Sequence, residues 1–155
     1  MCGTFVRMTN VIRFYSVTDA YGAFSNFAPF PIVVRGERWA TSEHYFQAQK
    51  FVDAKDRDAV RRAKTPMIAA RLGRDRSRKL RRDWESVKVS IMRDAVEAKF
   101  SQHDELRALL LATGDAKLVE HTENDDYWGD GGDGSGKNML GRVLMDVRAK
   151  LAGGP

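Results

Sequence analysis

The sequence predicts a single domain that is predominantly α-helical (α+β) and carries a small antiparallel β element. Apolar residues recur at helical spacing through several long segments, most clearly through residues 84–100. Segments rich in β-branched residues are short, and two of them flank a turn at Arg35-Gly36. The 155 residues contain no linker or internal repeat and fit one domain with its own core. We therefore expect a loose N-terminus at residues 1–10, followed by one domain at residues 11–152.

Short strands and loops occupy the chain before the first helix begins. Residues 11–17 (VIRFYSV) are β-branched and aromatic, which predicts a strand. Residues 18–31 form a loop that is rich in aromatic residues. Residues 31–39 predict a strand, a turn and a short return strand, and this hairpin is the expected antiparallel element. Thr41 or Ser42 is placed to cap the N-terminus of the helix that follows.

The remaining elements are helices, apart from one short strand and one glycine-rich loop. Thr65 and Pro66 predict a helix start, because threonine caps an N-terminus and proline fits the first helical position. Gly73 and Gly114 mark the ends of two helices. The predicted helices after the first cover residues 54–63, 66–73, 84–100, 104–112 and 140–151, the strand covers 118–119 and the loop covers 124–137.

The charge balance favours an anionic partner without identifying it. Lys and Arg number 26 against 21 Asp and Glu, so the net charge is +5 and the pI is about 9.5. A basic surface attracts phosphate-bearing ligands, although pI alone discriminates poorly. Cys2 is the only cysteine, and the three histidines lack metal-ligand spacing, so we expect no metal and no cofactor. Without a membrane-spanning apolar run or a signal-peptide pattern, we expect a cytoplasmic protein.

The block at residues 39–51 (WATSEHYFQAQKF) combines three polar functional groups with a largely apolar surface. Glu43, Gln47 and Lys50 have the spacing that puts them on one face of a helix. Aromatic and small residues fill the rest of the circumference, so the helix should be largely buried. Burial shifts the pKa of acids and amines towards values that are useful in catalysis. The alternative is an internal salt bridge between Glu43 and Lys50 on an ordinary core helix.

The glycine-rich segment at residues 131–137 (GGDGSGK) is similar to a phosphate-binding P-loop but departs from it. Asn138 stands where Ser or Thr would ligate magnesium, and no apolar strand precedes the loop, which argues against a nucleotide triphosphatase. A glycine-rich backbone that runs into a helix can still present N–H groups to an anion, with Asp125 and Trp128 nearby. The alternative is a long surface loop in which Asn138 only caps the helix.

Two further segments each have a functional and a structural interpretation. Residues 71–82 hold seven basic residues against one acid, and Trp84 follows them closely. This combination suits phosphate contacts beside a stacking surface, or a solvated face next to a core tryptophan. Asn26 and Phe27 place an amide among apolar neighbours. Asn26 is either oriented to read the edge of a ligand or forms a turn.

These segments occur together, in the same order, in one known family. The chain resembles the NADAR (YbiA-like) N-glycosidase family over residues 12–151. Each segment alone is a weak signal, but the ordered set is highly specific. The matching segments are SNFAPFPI (25–32), WATSEHYFQAQKF (39–51), DW (83–84) with Lys88 and Met92, LVE (118–120), DDYWGDGGDGSGKNMLG (125–141) and LMDVR (144–148).

The resemblance implies an N-glycosidase fold of mostly α character that cleaves a C–N bond between ribose C1′ and an amine. One branch of the family acts on phosphoribosylamino-pyrimidine intermediates of the riboflavin pathway. Another removes ADP-ribose from the exocyclic amino group of guanine, as antitoxin to guanine-modifying ADP-ribosyltransferases. By motif, Glu43 and Lys50 are the expected catalytic pair. The expected substrate-binding residues are Asn26, Phe27, Gln47, Arg74, Trp84, Asp125, Trp128, Gly129 and Asn138.

The leading expectation is removal of ADP-ribose from guanine in nucleic acid or nucleotides, in functional pairing with a guanine ADP-ribosyltransferase. The riboflavin intermediate is the alternative substrate, and a non-catalytic nucleic-acid-binding module is the alternative from another class. For an enzyme, two routes are chemically open. Glu43 could activate water, or a neutral Lys50 could attack C1′ and hold the sugar as a Schiff base while Glu43 transfers protons. We favour the lysine route.

Overall fold

The computed structural model describes residues 10–153, and within them six α-helices and four short strands follow one another along the chain. This confirms the predicted mainly helical α+β class. Except for Asn10, the predicted loose N-terminus lies outside the described residues. The strands are β1 (Val11–Phe14), β2 (Ile32–Val34), β3 (Glu37–Trp39) and β4 (Lys117–Glu120). The helices are α1 (Ser42–Ala48), α2 (Ala54–Arg61), α3 (Pro66–Arg74), α4 (Trp84–Gln102), α5 (Asp104–Ala112) and α6 (Met139–Leu151), and a short 3₁₀ helix covers Gly22–Phe24.

The predicted antiparallel hairpin is formed by β2 and β3. Ile32 pairs with Trp39 and Val34 pairs with Glu37, so the two residues between the strands make the tight turn. Arg35 and Gly36 both have positive φ, at 50° and 80°. Two consecutive positive φ values are the signature of a type I′ turn, whose twist matches that of the flanking strands.

The pairing of β1 with β4 is parallel, and the sequence did not predict it. Val11 lies opposite Lys117 and Phe14 lies opposite Glu120. The strand predicted at residues 11–17 stops at Phe14, because the carboxylate of Asp19 accepts hydrogen bonds from the next two backbone N–H groups and turns the chain. Parallel strands need a long connection, and here most of the helical domain lies between the two partners.

Helix α4 runs through the core and contacts α1, α5, α6 and β2. Its inner face buries Met92, Val96 and Phe100 at the helical spacing that the sequence predicted. Lys99 lies on the same face and is only 1% exposed. Its ammonium group donates a hydrogen bond of 2.8 Å to the carbonyl oxygen of Ser25, which ties the aromatic loop before β2 to α4.

Apart from the end of α1, the helix boundaries agree with the sequence prediction to within two residues. Thr41 caps α1 and Thr65 caps α3, each accepting a hydrogen bond from the backbone N–H three residues later. Pro66 occupies the first helical position of α3, as predicted. Within residues 10–153, no helix has the length and apolar character that crossing a membrane requires.

Candidate active site

A cavity of about 550 Å³ opens between α1, the loops that follow β1 and the 3₁₀ helix, and the segment that follows β4. We call it the active cavity. The structure brings eight of the eleven predicted functional residues to its wall and leaves Trp84, Gly129 and Asn138 outside it. The eight are Asn26, Phe27, Glu43, Gln47, Lys50, Arg74, Asp125 and Trp128.

Helix α1 presents Glu43 and Gln47 to the active cavity from successive turns. Gln47 Nε2 donates a hydrogen bond of 2.7 Å to Glu43 Oε1, and both side chains are less than 10% exposed. Gly73 on α3 makes room for the amide, because a Cβ at that position would overlap Gln47 Oε1. Gln47 Oε1 is buried and has no hydrogen-bond partner among the described residues.

Lys50 reaches the active cavity from the turn after α1, since the helix ends at Ala48 rather than extending past Lys50 as the block suggested. The backbone is held there by a 2.8 Å hydrogen bond from Arg81 N to the carbonyl oxygen of Lys50. Lys50 Nζ lies 5.9 Å from the ring centre of Phe46 and 5.8 Å from that of Trp84. These rings form an apolar cradle around the amine.

The structure does not show the internal salt bridge that was the alternative interpretation of this block. Within residues 10–153, the ion pairs with N···O distances up to 4.0 Å include none between Glu43 and Lys50. Both groups face the same cavity without contacting each other, so space remains for a ligand between them.

Burial perturbs both titrating groups in the direction that catalysis needs. Desolvation raises the pKa of Glu43, although the hydrogen bond from Gln47 and the charges of Lys50 and Arg74 partly oppose the shift. Desolvation is the largest cause that lowers the pKa of Lys50 to about 8, and the nearby charge of Arg76 contributes to the lowering while Glu43 opposes it. With this pKa, about one lysine in ten is neutral at pH 7. The cavity thus holds a partly neutral amine and a carboxyl group that retains its proton more readily than an exposed glutamic acid does.

Glu120 is a residue of the active cavity that sequence reasoning missed. It ends β4 and lines the cavity. Its pKa is raised to about 8, first by burial and then by the neighbouring carboxylates of Asp125, Glu43 and Asp130. Glu120 belongs to the matched LVE segment, but one acid at the end of a four-residue strand carries no local signal of burial. Only its spatial neighbours distinguish it.

Trp84 does not form the cavity wall that was predicted for it. Its ring packs behind Phe46, with ring centres 5.2 Å apart, and it is only 6% exposed. Phe46 itself lines the cavity and also meets Trp128 edge-on at 5.3 Å. Trp84 therefore supports the aromatic wall from the core, and the stacking surface predicted for Trp84 belongs to Phe46 and Trp128.

Asn138 and Gly129 also lie outside the active cavity, and both have structural roles. The side chain of Asn138 accepts a 3.0 Å hydrogen bond from Glu120 N and donates a 2.9 Å bond to the carbonyl oxygen of Leu118. Its amide is thus committed to β4 rather than to a substrate. Asn138 precedes α6 with a φ of 52° and makes no side-chain cap. Gly129 fits tightly, because a Cβ there would approach Thr122 and the nearby backbone.

Asn26 lines the active cavity and also anchors the start of α1. Asn26 Oδ1 accepts a 2.8 Å hydrogen bond from the hydroxyl of Ser42, and its Nδ2 lies 3.3 Å from the sulfur of Met92. The carbonyl oxygen of Asn26 accepts a 3.2 Å bond from Glu43 N. The buried amide therefore sets the position of the helix that carries Glu43.

Asp125 organises the segment opposite α1. Its Oδ1 accepts hydrogen bonds from Tyr127 N at 2.9 Å and from Trp128 N at 2.8 Å, which closes a turn. Oδ2 is the oxygen left to face a ligand. The turn holds the indole of Trp128 against Phe46 on the cavity wall.

The basic run at residues 71–82 is divided among several environments instead of forming one phosphate-binding stripe. Arg74 lines the active cavity. Arg78 forms a salt bridge with Asp56 at 2.6 Å, and Arg81 forms one with its close neighbour in sequence, Asp83, at 2.6 Å.

The backbone of the glycine-rich loop does not present its N–H groups to an anion as predicted. Gly131 N, Gly136 N and Lys137 N all donate to carbonyl oxygens of residues 125–130. The N–H groups of Asn138 and of the first two residues of α6 donate to carbonyl oxygens of residues 127–129. The loop therefore satisfies its own donors and those of the helix that it precedes.

Within residues 10–153, no cluster of three or more His, Cys, Asp or Glu side chains is arranged to hold a metal ion. The active cavity is lined by an amine whose pKa is lowered, two carboxyl groups whose pKa values are raised, and an aromatic wall. This set can protonate a leaving group and supply a nucleophile to an electron-poor carbon.

The chain is similar to known proteins over most of its length. Residues 13–152 match the model of the NADAR domain. The chain is 65% identical to N-glycosidase YbiA of Escherichia coli (strain K12) over 147 residues, which cover 95% of this chain and 92% of that protein. It is 46% identical to riboflavin biosynthesis protein VVA0006 of Vibrio vulnificus, covering 93% of this chain but 39% of that protein.

A solved structure supports the same grouping. The NMR structure of the E. coli protein YbiA superposes with a TM-score of 0.86 and 66% sequence identity, covering 92% of this chain and 85% of that one. The chain therefore belongs to the NADAR domain family, and its grouping with the YbiA relatives makes it an enzyme of the N-glycosidase class.

Proposed function

We propose that this N-glycosidase removes ADP-ribose from the exocyclic amino group of guanine in nucleic acid or nucleotides. The observation that carries the proposal is the placement of Lys50 and Glu43 on one cavity wall without a salt bridge between them. A nucleophilic amine and a proton donor that share a cavity without neutralising each other suit cleavage of a C–N bond at ribose C1′.

The reaction proceeds through covalent capture of the sugar. Neutral Lys50 Nζ forms a bond to C1′ while the bond from C1′ to the guanine amino nitrogen breaks, and the leaving amine takes a proton from Glu43. The ribose ring opens as C1′ and Nζ form an imine, and the ring oxygen takes up the proton that Nζ loses. Water then adds to the protonated imine, which releases the sugar as an aldehyde, and the proton left on Lys50 returns to the Glu43 carboxylate, so that both groups are regenerated. Covalent capture divides one difficult displacement into two easier steps.

Direct attack by water, activated by Glu43, is the other route. It requires Glu43 as an ionised base, whereas burial raises the pKa of Glu43 and favours its acid form. It also leaves the lowered pKa of Lys50 without a use. The electrostatics of the active cavity thus favour the lysine route.

The polyanionic substrate is supported by charge and shape. The chain carries a net charge of +5, and Arg74 contributes a cation at the cavity wall. The edge of Trp128 against Phe46 provides an apolar wall suited to a base or sugar. A volume of about 550 Å³ is within the range of pockets that bind whole small molecules.

Trapping with borohydride tests both the activity and the route. Borohydride added during turnover on an ADP-ribosylated guanine oligonucleotide should reduce the imine and add the mass of the sugar adduct to the peptide that contains Lys50. Lys50→Arg should be folded yet almost inactive, because the guanidinium group stays protonated and cannot attack C1′. Lys55→Arg, on the exposed part of α2, is the matched control and should keep full activity.

Two outcomes would contradict the proposed activity or its route. A fully active Lys50→Arg enzyme would eliminate covalent capture and leave water attack. Salt-sensitive oligonucleotide binding without any cleavage, unchanged in Lys50→Arg and Glu43→Gln, would indicate a non-catalytic nucleic-acid-binding module.

A phosphoribosylamino-pyrimidine of the riboflavin pathway is the second candidate substrate. The name of the Vibrio vulnificus relative, a riboflavin biosynthesis protein, favours it. Such a substrate needs a single phosphate site, which Arg74 could supply. The two candidates are separated by comparing kcat/KM on the pyrimidine intermediate with kcat/KM on the ADP-ribosylated guanine oligonucleotide.

A further inference from the structure

A second cavity, on the other side of β4 from the active cavity, has four cations among its lining residues. It measures about 340 Å³ and lies between one face of the β1–β4 pair, the glycine-rich loop and the first turn of α6. Val119 lines this cavity while the next residue, Glu120, lines the active cavity, because successive strand residues point to opposite faces. We call it the basic cavity. Its charged lining residues are Arg13, Lys117, Lys137, Arg142 and one acid, Asp130.

The fold brings these cations together from separate parts of the chain. The parallel register places Val11 opposite Lys117 and Arg13 opposite Val119, so Arg13 and Lys117 share one face of the sheet. Lys137 comes from the end of the glycine-rich loop, and Arg142 comes from the first turn of α6. No run of basic residues in the sequence marks this cluster.

The part of the chain that the structure describes does not neutralise the cluster by ion pairing. Within residues 10–153, none of the four cations takes part in a salt bridge. The carboxylate of Asp130 is already engaged: Oδ2 lies 2.7 Å from His121 Nδ1, and Oδ1 accepts bonds from Thr122 N and Gly132 N. Four like charges around one concavity repel one another, and a bound anion relieves that repulsion.

Side chains, rather than backbone donors, would recognise the anion. Most N–H groups of the adjacent loop already donate within the loop, as described above. Exposed lysine and arginine side chains spread over a concave surface suit several phosphates along a strand, each contacted through charge and without base recognition.

We propose that the basic cavity binds backbone phosphates of a nucleic-acid strand and holds a polynucleotide substrate beside the active cavity. The inference rests on the proposed function and deepens it, because it makes a polynucleotide rather than a free nucleotide the preferred substrate. A single segment connects the two sites: Asp125 and Trp128 line the active cavity, and Asp130 and Lys137 line the basic cavity. A strand bound in one cavity would therefore lie next to the loop that shapes the other.

The binding test uses a fluorescently labelled, unmodified oligonucleotide and needs no catalysis. Lys117→Gln with Arg142→Gln is the cavity variant; both residues are exposed, so the fold should persist. Lys55→Gln with Lys64→Gln removes the same charge from exposed positions at α2 and just beyond it, and is the matched control. Affinity is measured by anisotropy at several salt concentrations. For single strands, each lost phosphate contact reduces the slope of log K against log[salt] by about 0.7 in magnitude. The slope should therefore fall by roughly 1.4 in the cavity variant and hardly change in the control.

An equal loss of affinity and salt slope in both double variants would overturn the proposal, because net charge alone would then explain binding. Weaker binding of inorganic phosphate or ADP-ribose by the cavity variant, with unchanged oligonucleotide binding, would also overturn it and identify a small-anion site. Melting temperatures establish that all variants are folded.

Turnover separates this inference from the proposed function. The ratio of kcat/KM on an ADP-ribosylated oligonucleotide to kcat/KM on an ADP-ribosylated guanine nucleotide should fall roughly tenfold in the cavity variant and stay constant in the control. An unchanged ratio in the cavity variant would refute the basic cavity as a substrate site. If the wild-type protein cleaves neither substrate, the proposed function fails while the oligonucleotide-binding result still decides the role of the basic cavity.

Discussion

Replacing Arg76 with Gln should shift the pH dependence of cleavage to higher pH through its effect on Lys50. Lys50 has a pKa of about 8 instead of 10.5, so at pH 7 the neutral amine is about 300-fold more abundant than for an unperturbed lysine. After burial, the charge of Arg76 is the largest cause of this lowering. Arg76 is exposed and donates a single hydrogen bond to the carbonyl oxygen of Gly73, so its removal should perturb the fold little.

The assay is a pH profile of kcat/KM between pH 6 and pH 10. For wild type, kcat/KM should rise about tenfold per pH unit as the neutral amine forms, up to about pH 8 while Glu43 keeps the proton that the leaving amine needs. In Arg76→Gln the rise should extend to higher pH, with lower activity at pH 7. Arg71→Gln, an exposed arginine on α3 that does not contribute to the lowered pKa of Lys50, is the control.

Glu120 has a pKa of about 8 as well, so both profiles are repeated in a Glu120→Gln background. If Arg76→Gln still shifts the pH profile to higher pH in that background, the shift arises from Lys50 and not from Glu120. If folded Arg76→Gln and wild type level off at the same pH, the amine of Lys50 is not the group whose deprotonation limits turnover, and the reasoning is refuted.

Three further predictions concern residues that support the active cavity. Asn138→Ala leaves the backbone N–H of Glu120 and the carbonyl of Leu118 without their partner. The free energy of unfolding in urea should therefore fall by ~2–4 kcal/mol while activity per folded molecule survives. Loss of activity without loss of stability would instead mean that Asn138 contacts the substrate. Trp84→Ala should cost ~3–5 kcal/mol of stability by opening a cavity behind Phe46, Trp84→Phe should cost less, and equal melting temperatures for both would contradict its core position. Burial lowers the pKa of Lys99 from 10.5 to about 7. Between these two pH values Lys99 is protonated in the unfolded chain but neutral in the folded chain. The contribution of this group to stability should therefore rise with pH over that range. Relative to Lys99→Met, wild type should therefore gain about 2 kcal/mol between pH 7 and pH 9. Parallel pH profiles of the unfolding free energy would show that folded Lys99 keeps its charge, which would refute the lowered pKa.

Local patterns in the sequence predicted most of the fold and the centre of the site. The caps at Thr41 and Thr65 and the type I′ turn at Arg35-Gly36 depend on a few adjacent residues, so they can be recognised without tertiary contacts. The spacing of Glu43 and Gln47 within an otherwise apolar block placed both on the cavity-facing side of α1, because helical geometry fixes which residues share a face.

Tertiary structure decided which polar residues face a ligand and which support the fold. Asn138 is an amide beside a glycine-rich loop, equally suited to a substrate or to a strand, and only its position against β4 committed it to the backbone. Trp84 adjoins a basic run in sequence but packs behind Phe46 in space.

The electrostatics were determined in the same way, by neighbours that are distant in sequence. Glu120 and Glu43 lie 77 positions apart in the chain, yet both carboxyl groups are buried at one cavity, where the charge of Glu43 favours the protonated form of Glu120. The basic cavity gathers Arg13, Lys117 and Arg142 through the parallel pairing of β1 with β4 and the packing of α6. A pKa depends on desolvation and on charges a few ångströms away, so it is a property of the folded surface and has no counterpart in the local sequence.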